Sequence, residues 1–175
     1  MGEVTGAEIR RFIDDVRYMR DHREILGCIH RYGHGLDRLD SDLIASASYG
    51  DAVSNHGPFG GNLEEFVSRA IEAKSELLWK PYGITDHTCE INGDEAHVES
   101  YLHWVAKMRE GGRLAALGGG RYIDQLERRN GQWKLCLRRL VVDYVFVVPA
   151  DDCMVEDQTA VSGTRTGAIP PAYCH

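Results

Sequence analysis

Residues 25–44, ILGCIHRYGHGLDRLDSDLI, decide how the rest of the chain is read. Apolar side chains recur at Ile25, Ile29, Tyr32, Leu36, Leu39 and Leu43, in steps of three and four that keep one face of a helix toward an interior. Tyr32 stands near the middle of that face and Asp37 at its edge. Asp40-Ser41-Asp42 reads as the cap of a new helix, which leaves Asp37 in the last turn of the first one. A carboxylate there meets the negative end of the helix macrodipole, a position that costs stability. Either it points into water or it has chemistry to do in the interior; the helix alone favours water.

Upstream, Ile9, Phe12, Ile13, Val16 and Met19 form an apolar helical stripe ending near Asp21, and Asp21 with Glu24 reads as a capping box that opens the central helix. Downstream, a short helix is expected from Asp40 to about Tyr49, stopped by Gly50. A short extended segment, Ala52 to His56, comes next and is closed by Gly57-Pro58 and Gly60-Gly61. Asn62, with Glu65 three residues on, caps a further helix running to about Trp79 before Pro81.

From Ile84 the period changes from helix to strand, with four runs at about 84–92, 95–109, 114–128 and 132–148. Asn92-Gly93-Asp94 and Asn130-Gly131 are hairpin turns between them. In the second run Ala96, Val98, Ser100, Leu102 and Trp104 alternate with His97, Glu99, Tyr101, His103 and Val105, the pattern of a strand with one apolar face. Gly118-Gly119-Gly120 permits a bend or bulge in the third run, and no helix comes after it as a phosphate loop requires. Helices first and an antiparallel meander second predict an α+β fold, a cone-shaped curved sheet with N-terminal helices on its concave face around a pocket. One domain is expected over 1–148, with 149–175 a tail or a strap across the surface.

The net charge of −7, with no run of Lys and Arg, speaks against nucleic acid as a partner. No stretch reaches membrane-spanning length and no signal-peptide pattern opens the chain, so a soluble cytoplasmic protein is expected. Five scattered cysteines without a CxxC suggest neither disulfides nor zinc.

IHRYGHGLDRLD, a histidine opening a strand in ITDHTCEINGDEAHVESY, and GGGRYIDQLERRNGQWKLCLRR together resemble the SnoaL-like branch of the nuclear transport factor two-like superfamily, over roughly Ile9 to Tyr144. Within it the resemblance is to enzymes of the scytalone dehydratase, bile-acid 7α-dehydratase and hexachlorocyclohexane dehydrochlorinase types. The resemblance implies a dyad, Asp37 with His87, that removes a carbon-bound proton without cofactor, assisted by Tyr32 in a YxxxxD spacing. The further acid of the bile-acid dehydratases is replaced here by His103 or Trp104.

The expected catalytic set is therefore Asp37, His87 and Tyr32, with His103, Trp104, Arg139, Tyr122 and Phe66 binding substrate and no metal or cofactor. His103 reads equally as a pocket acid or as an exposed outer-face residue. Arg139 alternates with Trp133, Leu135 and Leu137, but Arg138 takes its place if a bulge shifts the register. Arg121 suits a surface salt bridge, His30 and His34 solvent, and His56 either the pocket mouth or a turn, the turn being favoured. A neutral imidazole oriented by a carboxylate suits proton abstraction, which favours a lyase eliminating water, halide or a small carbonyl from a hydrophobic, ring-containing molecule. The alternatives are a small-molecule binding or scaffold protein, or an accessory subunit of an aromatic-ring dioxygenase. A homodimer or homotrimer through the outer sheet face, with His97, Glu99, Tyr101 and Lys107, is expected.

Overall fold

The computed structural model describes residues 4–57, 60–79, 81–108 and 113–150. The tail from 151 onward, expected as a strap, lies outside the described residues, as do Cys153 and Cys174. Among the described residues, three helices, α1 (Gly6–Arg38), α2 (Ser41–Ala47) and α3 (Leu63–Ser75), pack on a curved seven-stranded sheet. Its strands are β1 (Ser48–Asn55), β2 (Gly61–Asn62), β3 (Leu77–Trp79), β4 (Tyr82–Asn92), β5 (Glu95–Met108), β6 (Leu114–Arg129) and β7 (Gln132–Pro149). The order is β2-β1-β7-β6-β5, with β3 and β4 sharing the far edge of β5. The sheet is antiparallel except where β1 lies parallel to β7.

The break expected at Asp21 does not exist. α1 runs unbroken for 33 residues, and its capping box is Thr5 with Glu8. Asp21 is instead buried and accepts a hydrogen bond from Arg128 Nη1 at 2.8 Å, so its carboxylate is satisfied across the fold and not by its own backbone. The N-terminal half of α1 consequently projects: Ile9, Phe12, Ile13, Val16 and Met19 stay exposed. The second helix ends at Ala47, and Gly50 falls within β1. The third ends at Ser75, and the residues expected to extend it form β3.

The C-terminal half of α1 makes the core. Ile25, Cys28, Ile29, Tyr32 and Leu36 meet Ala96, Val98, Leu126, Trp133 and Leu135 from the inner face of the sheet. The β6–β7 turn has positive φ at both Asn130 and Gly131, the geometry of a two-residue hairpin. Two irregularities in β7 shape everything above it. Cys136 is an extra residue between the Leu126–Leu135 and Gln125–Leu137 pairs, and a second bulge lies opposite Gly119 and Gly120.

Candidate active site

The first bulge decides which arginine turns inward. With Cys136 looped out of register, Arg138 pairs with Asp124 on the inner face and is fully buried, while Arg139 is exposed. Arg139 is thus corrected to Arg138, because one inserted residue exchanges the two faces of a strand. Arg138 donates from Nε to Asp124 Oδ1 at 2.8 Å and from Nη2 to Asp124 Oδ2 at 2.6 Å. Its guanidinium lies between two rings, 4.0 Å from the centroid of Tyr32 and 4.0 Å from that of Tyr122. Burial pushes the Asp124 carboxyl above its ordinary range and the guanidinium pulls it back.

Other aromatic rings gather round Tyr122, with centroids 6.3 Å away for Tyr32, 6.1 Å for Tyr82 and 5.8 Å for His56. His56 reaches this chamber because β1 lies beside β7, with Ser54 in register with Arg138. It does not sit idle in a turn. Its ring stacks on Phe66 at 3.9 Å, and its Nδ1 is 2.6 Å from the buried Ser54 Oγ. Burial, helped by the Arg138 charge, holds its pKa down to about 4, so the ring is neutral at physiological pH. Burial likewise raises the Tyr32 hydroxyl far above its ordinary value, with Tyr122 adding to the effect and Arg138 opposing it. Tyr82 and Tyr122 are raised for the same first reason. All three phenols are therefore protonated donors.

Tyr32 Oη, Tyr82 Oη, Arg138 Nη1, His56 Nε2 and Ser100 Oγ are buried without a hydrogen-bond partner. The Tyr82 hydroxyl faces that of Tyr122, and the Tyr32 hydroxyl faces the Arg138 guanidinium, each pair close enough to interact but short of ordinary hydrogen-bond geometry. Each such group costs roughly 1–3 kcal/mol. Four of them, from Tyr32, Tyr82, Arg138 and His56, gather around Tyr122, an unusual concentration in an interior, where polar atoms are otherwise mostly satisfied; Trp133 Nε1, in the core, is unpartnered as well.

An open cleft of 490 Å³ adjoins the chamber, with Asp37, Tyr82, Trp104, His103, Tyr144 and Phe146 among its walls. Tyr82 belongs to both. The glycine run builds this cleft: a Cβ at Gly118 would overlap the Trp104 ring, and one at Gly119 would overlap the ring of Tyr144. His103 lies on the outer face, exposed at the rim, with Nδ1 3.0 Å from Tyr144 Oη. Trp104 faces inward, in register with Tyr82 and Gly118. Of the expected set, Asp37, His103 and Trp104 line the cleft, and Tyr32, Tyr122 and Phe66 belong to the chamber beside it.

His87 is not brought to Asp37. Its ring faces that of His22 on α1, 5.7 Å away. Asp37 lies fifteen residues beyond His22, about 22 Å along a helix. From Tyr82, on the cleft wall, His87 is five residues away, about 16 Å of extended strand. β4 begins at Tyr82, so the side chain at the strand's opening beside Asp37 is a tyrosine, not the histidine. Among the described residues no three His, Cys, Asp or Glu side chains group as metal ligands, and His30 and His34 are exposed. Arg121 pairs with Asp143 at 3.1 Å on the surface.

Tyr82 and Asp124 were not foreseen as site residues, and for His56 a turn was preferred over the pocket mouth. Asp124 had a signal, since it alternates with Tyr122 and Leu126 on the apolar face of its strand. The place of His56 depends on the parallel pairing of β1, which no local pattern shows.

A curved α+β cone with helices on its concave face and an open cleft between them is the architecture of the nuclear transport factor two-like superfamily. The chain belongs to the SnoaL-like family, whose domain model matches residues 17–139. The hexachlorocyclohexane dehydrochlorinase LinA-type3 of Novosphingobium barchaimii superposes with a TM-score of 0.70 at 17% identity, covering 77% of this chain and 94% of that one. A candidate scytalone dehydratase from Novosphingobium aromaticivorans gives 0.66 at 19% identity, covering 74% and 88%. An ITG-like peptide of Agrotis ipsilon is 27% identical over 108 residues, 61% of this chain. The chain spans about half, 48%, of that curated relative's length.

Proposed function

We propose that the protein is a cofactor-independent lyase acting on a hydrophobic, ring-containing small molecule, with Asp37 as the base. The observation that carries the reading is a carboxylate, Asp37, on the wall of a cleft that it shares with the phenol of Tyr82 and the rings of Trp104, Tyr144 and Phe146. Asp37 takes a proton from carbon, and the C–H electron pair moves onto the substrate. Collapse of that carbanion forms a double bond and breaks the bond to the leaving group, which departs with the bonding pair as halide, or as water after taking the proton from Asp37. Loss of a small carbonyl instead starts with Asp37 taking a hydroxyl proton, C=O forming as the C–C bond breaks and its pair staying on the ring fragment, which takes the proton back. Tyr82, with Tyr32 behind it, donates to the negative charge that develops.

The separation of His87 from Asp37 favours one alternative, a binding protein using the same pocket. One experiment divides the two. Wild type and Asp37→Asn are incubated in deuterated buffer with any molecule retained through purification, identified by native mass spectrometry. A panel of ring compounds bearing a leaving group one carbon from an acidic C–H is included. Elimination or C–H exchange by wild type, lost by about 10²–10⁴ in the variant, is expected for a general base. A retained ligand with neither reaction in either protein gives the binding reading.

A homodimer or homotrimer belongs to the proposal, supported by apolar side chains exposed along β6 and β7, including Leu114, Leu117, Val145, Phe146 and Val147. Among the described residues no helix is long and apolar enough to cross a membrane, and a cytoplasmic location is part of the same reading.

A further inference from the structure

We infer that the first half of α1 is a dimerisation arm, which pairs in parallel with the same segment of a second copy about a two-fold axis running along the helices. The inference does not depend on the lyase reading, and the contact lies apart from the sheet face invoked above.

Every residue from Val4 to Arg20 is exposed, and α1 enters the core only from Asp21 on. A helix of about four turns is marginal in water by itself, and packing of an apolar face is what ordinarily holds one. The arm has such a face in Ile9, Phe12, Ile13, Val16 and Met19, each between 42% and 67% exposed. These recur at the three- and four-residue steps of a two-helix seam.

Position narrows the occupant to a second arm. Counted at 3.6 residues per turn, the arm's stripe is centred about half a turn from the stripe of Ile25, Cys28, Ile29, Tyr32 and Leu36 that enters the core. It therefore faces away from its own sheet. Nor do the bare ends of β6 and β7 meet it within one copy. Asp21, at the base of the arm, is bonded to Arg128 beside the β6–β7 turn. From that turn about 45 Å of strand separates Gln132 from exposed Phe146, and the chain beyond Ala150 departs from the same far end. Laid on the sheet end of another copy, the arm would make a head-to-tail contact, which runs on as an open chain unless the rotation closes. Two arms packed stripe to stripe close at two copies. Each body then lies on the far side of its own helix, clear of the other.

Charge fixes the direction. Glu8 and Asp15 border one edge of the stripe, and Arg20, with Arg17 further round, borders the other. A parallel pair sets the acidic edge of each arm against the basic edge of its mate, with Asp15 facing Arg20 of the second copy twice over, whereas an antiparallel pair sets like edges together. An anionic membrane would attract the arginines but repel Glu8, Asp14 and Asp15. Burying the five apolar side chains of both copies removes on the order of 1,000 Å² from water, the lower limit of a specific interface.

The test uses the full chain. In sedimentation velocity at about 50 μM, wild type should have twice the mass of Phe12→Asp/Val16→Asp, whose substitutions fall at exposed positions and leave the core intact. Mild oxidation of Ile9→Cys should trap at least about tenfold more disulfide-linked dimer than wild type, whose five cysteines serve as the control, because a parallel pair brings this side chain opposite itself. Ile9→Cys/Val147→Asp should cross-link equally, which separates the arm from the exposed sheet face. Vesicles of mixed phosphatidylcholine and phosphatidylglycerol should not retain wild type. A monomeric wild type, an unchanged mass in Phe12→Asp/Val16→Asp, or cross-linking that fails to exceed the control or is lost with Val147→Asp overturns the inference. Retention by the vesicles that Phe12→Asp/Val16→Asp abolishes, with no dimer in solution, overturns it in favour of a membrane-bound arm.

Discussion

Replacing Arg138 by Met is the severest single test of the interior. The guanidinium is wholly buried, doubly bonded to Asp124 and sandwiched between Tyr32 and Tyr122. Met fills much of the volume but leaves the Asp124 carboxylate buried without a partner, a loss of about 3–5 kcal/mol. The two ring contacts add roughly 0.5–2 kcal/mol each. Against a typical domain stability of about 5–15 kcal/mol, a loss on the order of 5 is a large fraction. With a urea slope of roughly 2 kcal/mol per molar, the midpoint falls by about 2 M. The double variant Arg138→Met/Asp124→Leu removes both charges and should recover most of that loss. Acid should also help the single variant. With its cation gone, Asp124 has a folded pKa held above the unfolded value by burial alone, so the folded state binds the extra proton. Stability of Arg138→Met then rises as pH falls through that raised pKa. Urea titrations at two pH values read all three effects. A single variant within about 1 kcal/mol of wild type, or a double variant as weak as the single, would refute the placement of this pair.

Three other contacts carry expectations of their own. His56 has a folded pKa of about 4 against an ordinary 6.5, so the unfolded chain binds the proton first. Stability should be fully present above pH 6.5 and decline by about 3 kcal/mol toward pH 4, and His56→Phe should flatten that limb of the pH–stability curve. Gly120→Ala drives a Cβ into the backbone carbonyl of Val141, which cannot rotate away as the rings beside Gly118 and Gly119 can. It should cost about 1–3 kcal/mol, more than Gly119→Ala, by thermal unfolding. Thr5→Ala removes the capping box from the exposed end of α1 and should speed amide exchange in its first turns by up to about tenfold while leaving the global unfolding midpoint unchanged.

The fold was legible because periodicity survives in its long elements. The four runs from residue 84 lie within a few residues of β4 to β7, and the inner face of β5 is the one its alternation predicts. What failed was local. Asp21 carries every mark of a helix cap, yet Arg128 and Asp94 lie beyond a hairpin that no local window includes, and their network leaves α1 free to run on. β3 is three residues long and exists only because β5 offers its edge. A strand of that length has too few residues to show a period.

The site divides along the same line. Tyr32 and Tyr122 lie within unbroken periodic runs, so counting places both on an inner face, whereas Asp37 stands at the helix edge, where counting favoured water and only the family resemblance drew it toward the pocket. Arg139 was misplaced by one residue, since a bulge at Cys136 carries no compositional mark; only the pairing with Asp124 shows which guanidinium turns inward. His87 was expected opposite Asp37 because the family resemblance implies that pair, with His87 read as opening the strand. It opens five residues earlier, beside Pro81, and Pro81 contributes its carbonyl to Val105 at 3.1 Å. The displacement has a chemical consequence. A dyad of Asp37 with an imidazole would make the imidazole the base, whereas here the carboxylate itself is the group on the cleft wall. If the lyase reading holds, His87→Gln should leave kcat within about twofold of wild type while Asp37→Asn lowers it by about 10²–10⁴. A folded His87→Gln variant as inactive as Asp37→Asn would return the base to His87 and require α1 and β4 to move relative to each other on binding.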